Sequence, residues 1–128
     1  MNNKLTSALA VMMLVLVGFS CSYFSAKPSG TVKKFYRHVE AGELDAAMAL
    51  LSHTSAVAML GPAKVKAGLA EQTRAIKNKK GISSIDIQDE QINGETASVS
   101  GTVKFGDGTS ESFSTVLMKE DGTWKITK

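Results

Sequence analysis

The sequence predicts an α+β fold, three N-terminal helices packed on one face of a curved antiparallel sheet, and three observations predict it. Apolar residues recur at helical spacing as far as Ile76. After Gly81 the spacing changes to two. Turn signals at Asn93-Gly94, Gly106-Asp107-Gly108 and Glu120-Asp121-Gly122 then cut the second half into strands. Helices first and a strand meander afterwards is the order of an α+β domain with its helices on one side.

In the first helix Val32, Phe35, Tyr36 and Val39 form one apolar stripe, with Ser29 or Thr31 as candidate caps and Gly42 as a left-handed stop. Leu44, Ala47, Met48 and Leu51 share the face of a second helix. Residues 52 to 60 read either as a short strand or as a helical turn. Pro62 suits the first position of a third helix, whose face carries Val65, Leu69, Gln72 and Ile76, with Gly68 permitting close packing.

Ile85 and Ile87 open the sheet. The clearest strand comes next, with Ala97, Val99, Gly101, Val103 and Phe105 alternating with polar residues. Phe113, Thr115 and Leu117 form the inner face of the third strand, and Trp124 and Ile126 that of a short last one. Gly101 in mid-strand predicts a bulge or bend.

Residues 1–20 read as an export signal. Lys4 gives the polar start a positive charge, and Ala8 to Val17 is an unbroken apolar run. That run is shorter than the ~20 residues needed to span a bilayer. The single cysteine of the chain, Cys21, comes shortly after it. A lone cysteine forms no internal disulfide, and its position explains it otherwise. Val17-Gly18-Phe19-Ser20-Cys21 resembles the lipobox of bacterial lipoproteins, although Gly18 stands where that family usually has Leu. The resemblance implies a Cys21 carrying palmitate-type acyl chains. At about 0.8 kcal/mol per buried methylene, several chains fix a protein to a membrane. The predicted layout is a signal at 1–20, a tether at 21–29 and one domain at 30–128. The predicted address is the envelope, on a periplasm-facing membrane surface or the outer membrane, where Ser22 would direct it in enteric bacteria.

The stretch from Ser29 to Lys128 resembles the nuclear-transport-factor-2-like (NTF2-like) superfamily. Within it the chain is similar to the bacterial domain-of-unknown-function family 4878, also labelled lumazine-binding-like. The residues carrying the resemblance are Val32-Lys33-Lys34-Phe35-Tyr36, Gly42-Glu43-Leu44-Asp45-Ala46-Ala47, Gly81-Ile82 and Asp121-Gly122-Thr123-Trp124-Lys125-Ile126. It implies a cone in which three helices close over a bent, cystatin-like sheet. It implies no activity and supplies no catalytic residue.

Enzymes on cone folds place an acid or base inside the cone. The inward positions assigned here carry nothing that titrates, and Thr115 is their one polar residue. Asp86, Lys104 and Glu111 are assigned to the outside or to turns, and Asp89, Glu90, Glu95, Asp107, Glu120 and Asp121 to turns. His38 lies off the first helix's apolar stripe, and His53 lies just past the second helix. Neither has the spacing of a metal motif. No catalytic residue, metal or cofactor is therefore predicted. Phe35, Tyr36, Val99, Phe105, Phe113, Thr115 and Trp124 either line a small pocket or plug the cone. Ser98, Ser100, Thr102 and Ser112 to Ser114 are the solvated side of the sheet, or else a sugar- or peptidoglycan-binding one. A net charge of +3 predicts no nucleic-acid partner. The leading expectation is a lipid-anchored, non-enzymatic domain that binds a small molecule or an envelope protein. The alternatives are an isomerase- or dehydratase-type enzyme and a structural or inhibitory interaction protein.

Overall fold

The computed structural model describes residues 27–55 and 58–127. The leader and Cys21 lie outside the described residues. Helix α1 (Pro28–Ala41) starts on a proline, whose fixed φ suits a first turn and whose missing N–H is no loss there. It therefore begins two residues before the domain boundary drawn from sequence, and Pro28 and Ser29 belong to it rather than to a tether. Neither Ser29 nor Thr31 caps it. The cap comes from the sheet: Glu90 Oε2 accepts the Ser29 N–H at 2.7 Å. A carboxylate at that end also complements the helix dipole. Gly42 ends the helix at φ +76°, its N–H returning to the Val39 carbonyl at 3.1 Å.

Helix α2 (Leu44–Met48) is one short turn and a half, less than its apolar stripe suggests. Leu51 leaves it to form a parallel bridge with Ile126. A 3-10 turn at Ala58–Leu60 precedes α3 (Pro62–Asn78). Val65, Leu69 and Ile76 of α3 are buried. Gly68 is not a packing glycine: nothing lies within 4 Å of where its Cβ would be. Thr73 Oγ1 donates to the Val39 carbonyl at 2.7 Å and ties α3 to α1.

The strands β1 (Ile82–Asn93), β2 (Thr96–Phe105), β3 (Ser110–Glu120) and β4 (Thr123–Ile126) form an antiparallel meander in the order β1-β2-β3-β4. The predicted irregularity is real, but it sits on the strand facing Gly101. β1 shifts register between Ile87, opposite Gly101, and Asp89, opposite Ser100. A Cβ on Gly101 would lie 2.2 Å from the Asp86 carbonyl oxygen and 3.0 Å from Phe113 Cζ. Glycine is what lets the bulged strand and the ring close on this point. The bulge also reverses the facing of the remainder of β1. Glu90 pairs with Val99 and Ile92 with Ala97, so both share the inner face. That is how Glu90 reaches α1.

Two clusters make the core. Val39, Ala47, Val65, Leu69, Ile76, Ile82, Ile85, Val103 and Phe105 form one, where α1, α2 and α3 meet the sheet. Val32, Ala97, Val99, Leu117, Trp124 and Ile126 form the other, under the start of α1. Phe35, Tyr36, Leu51, Ile87 and Phe113 pack against both and are only partly buried. The chain thus folds as three helices on a curved four-stranded sheet.

Candidate functional site

Between the two clusters the concave face is not filled. Two adjoining hollows share Tyr36 and Gln72. One, of about 210 Å³, is lined by Tyr36, Gln72, Ala75, Ile76, Lys79, Phe105 and Glu111. The other, of about 250 Å³, is lined by Val32, Phe35, Tyr36, Gln72, Phe113, Ser114, Thr115 and Ile126. Together they form a cleft between α1, α3 and β3.

Tyr36 divides the cleft. Its ring centroid lies 6.0 Å from that of Phe35, edge-on, and 5.5 Å from that of Phe113. Its hydroxyl has no hydrogen-bond partner among the described residues and is not sealed from solvent. Burial pushes the phenol above its ordinary pKa of 10.0, and the nearby Glu111 carboxylate pushes the same way. Tyr36 is therefore a neutral donor near neutral pH. Its stabilising contribution is complete below about pH 10, the unfolded value, and is lost as pH rises through the higher folded one. Glu111→Gln should lower the pH of phenolate formation at Tyr36 while leaving it above the ordinary value, since burial is the larger cause. Phenolate ultraviolet absorbance against pH measures this, and an unmoved midpoint would place Glu111 too far away to act.

Glu111 corrects the sequence assignment. It is two residues from Phe113 on β3, so strand alternation brings it to the inner face, at the strand's open end. There it pairs with Lys79, the residue that closes α3. The Lys79 ammonium also lies 4.6 Å from the Phe105 ring centroid, a cation–π distance. The nearby Asp107 carboxylate is engaged by Thr109, accepting from its N–H at 2.9 Å and its hydroxyl at 2.6 Å. Those hydrogen bonds hold Asp107 below the usual carboxylate range.

The structure sorts the predicted lining residues. Phe35, Tyr36, Phe105, Phe113 and Thr115 line the cleft. Val99 and Trp124 do not; they are buried in the second core cluster and act as filling. Gln72, Lys79 and Glu111 line it too, and sequence reasoning did not select them. The signals were available: Gln72 shares its helix face with Leu69 and Ile76, and Glu111 keeps the parity of Phe113.

The histidines lie elsewhere. His38 Nδ1 is 3.3 Å from Glu43 Oε1 at the end of α1. His53 borders a third hollow of about 320 Å³ on the flank between α2 and α3. Ser52, the other side chain there with a polar group, already bonds Glu120 at 3.0 Å and the Thr54 hydroxyl at 2.9 Å. That hollow offers little for orienting a ligand. Among the described residues no three His, Cys, Asp or Glu side chains converge to hold a metal.

Comparison with known proteins agrees with this architecture. A protein of Campylobacter jejuni, provisionally named an NTF2-like transpeptidase, superposes with a TM-score of 0.67 at 22% identity, over 77% of this chain and 95% of its own. An uncharacterized cystatin fold protein from Novosphingobium aromaticivorans aligns over 79% of this chain and 93% of its own, at 16% identity and a TM-score of 0.45. No curated protein matches. At 22% identity the first of these supports the fold and carries no activity across. The sequence itself matches the family described as "Domain of unknown function (DUF4878)" over residues 20–127, most of the chain, and the protein belongs to that family.

Proposed function

We propose that this protein is exported, is anchored to an envelope membrane by acyl chains on Cys21, and holds a small molecule in the cleft without transforming it. The export and anchoring parts rest on the apolar run from Ala8 to Val17 and on a sole cysteine placed shortly after it. Cys21→Ser should move the protein from the membrane fraction to the soluble one, and a variant that stays with membranes would contradict the anchor.

The binding part rests on one observation: a phenol hydroxyl with no hydrogen-bond partner among the described residues, flanked by aromatic rings, set between two hollows. Apolar walls with a few convergent polar groups are the usual makeup of a small-molecule site. N-phenyl-1-naphthylamine, an uncharged fluorescent probe, tests it in the Cys21→Ser chain. The probe's emission should rise on binding. Ala75→Trp, which fills the first hollow, should cut that rise at least fivefold while leaving the urea unfolding midpoint in place. An equal rise in both proteins would sink the cleft as a binding site.

A catalytic reading, of the isomerase or dehydratase kind, has one observation in its favour: Tyr36 and Glu111 face the same hollow. The direction of the Tyr36 shift works against Tyr36 as its base. A base needs its deprotonated form near the working pH, and a phenol raised above 10.0 holds almost none.

A further inference from the structure

The Tyr36 hollow carries opposite charges side by side at its rim. Lys79 and Glu111 pair there above an apolar floor of Ile76, Ala75 and Phe105. This arrangement restricts the ligand. An anion reaching for Lys79 meets the Glu111 carboxylate. A cation reaching for Glu111 meets the Lys79 ammonium. Either one meets one attraction and one repulsion, at a rim where the Lys79 and Glu111 side chains are 32% and 61% exposed. A molecule with adjacent positive and negative groups avoids this, because its two charges replace what each side chain gives up.

The neutral groups at the site match the same pattern. Tyr36 lines the same hollow and supplies a hydroxyl donor for a carboxylate. Gln72 lines it too and supplies an amide oxygen for an ammonium.

We propose that the Tyr36 hollow binds a zwitterion of the α-amino acid type, its ammonium and carboxylate bridging Glu111 and Lys79 and its apolar side chain resting on Ile76 and Phe105. This rests on the binding reading of the cleft and specifies its ligand chemistry. Four probes with one side chain test it on the full-length protein labelled with nitrogen-15: L-leucine, N-acetyl-L-leucine, L-leucinamide and isoamyl alcohol. L-leucine should shift the backbone amides of Gln72, Lys79 and Glu111 and bind at least tenfold more tightly than either singly charged analogue. In Glu111→Gln that order should reverse in favour of N-acetyl-L-leucine, because Lys79 loses its carboxylate partner. Equal or tighter binding of a singly charged analogue to the unmodified protein overturns the proposal. So does isoamyl alcohol shifting these amides while L-leucine gains nothing over it, a result that keeps the cleft as a binding site. If none of the four shifts them, the zwitterion proposal is overturned as well, and the uncharged naphthylamine separately decides whether the cleft binds anything.

Discussion

Gly101→Ala is expected to destabilise the domain by about 3 kcal/mol or to prevent its folding, at or beyond the upper end of what overpacking costs. The sign is diagnostic. Replacing glycine by alanine where the backbone permits it usually stabilises by about 0.4–1 kcal/mol, because the unfolded chain has less freedom to lose. Here the added methyl would sit 2.2 Å from the Asp86 carbonyl oxygen and 3.0 Å from Phe113. One obstacle is backbone and the other is a ring packed against both core clusters. The strand cannot yield without flattening the bend that turns Glu90 toward α1. Urea unfolding of the variant measures the effect. A midpoint equal to or above that of the unmodified protein would mean that the curvature does not depend on this contact.

Trp124→Ala is expected to cost about 3–5 kcal/mol, the range for removing a large buried aromatic. Domains hold only about 5–15 kcal/mol in total, so a single change of this kind takes a large share. Trp124 sits on the four-residue edge strand β4, whose outer side is bonded at Ile126 to Leu50 and Ser52. Its side chain is 5% exposed and joins Val32, Leu117 and Ile126 in one cluster. Lys119 covers it at 5.5 Å from the centroid. Because Trp124 lines neither cleft hollow, the folded fraction of the variant should still bind the naphthylamine probe. A loss below about 1 kcal/mol, within reach of an ordinary surface change, would show that β4 is held by its backbone alone.

These residues also show how much of the molecule could be read in advance. β2 was legible because strict alternation of apolar and polar residues leaves one answer for each side chain, and Ala97, Val99, Val103 and Phe105 are all buried. Glu90 was not legible. Its facing depends on an extra residue inserted upstream in β1, and one inserted residue inverts everything after it. Glu111 was misplaced for a different reason: its charge suggested the outside, while its parity put it on the inner face at an end open to solvent. α2 was overread because Leu51 continues a helical stripe, whereas the structure uses it in a bridge to Ile126. Tyr36 could be placed on the inner stripe, but its lack of a hydrogen-bond partner among the described residues is a property of the assembled neighbourhood.

The capping of α1 by Glu90 has a consequence for how the chain folds. The two partners are 61 residues apart, and α1 is the first described element to leave the ribosome. A helix of 14 residues without tertiary support is marginal in water. Its front end gains this anion only after β1 has been made and has paired with β2. Contacts between distant positions slow folding, and this one delays commitment of the leading segment until the trailing half is complete. On the proposed route of export, a chain threaded through a narrow passage while still extended is helped by that delay.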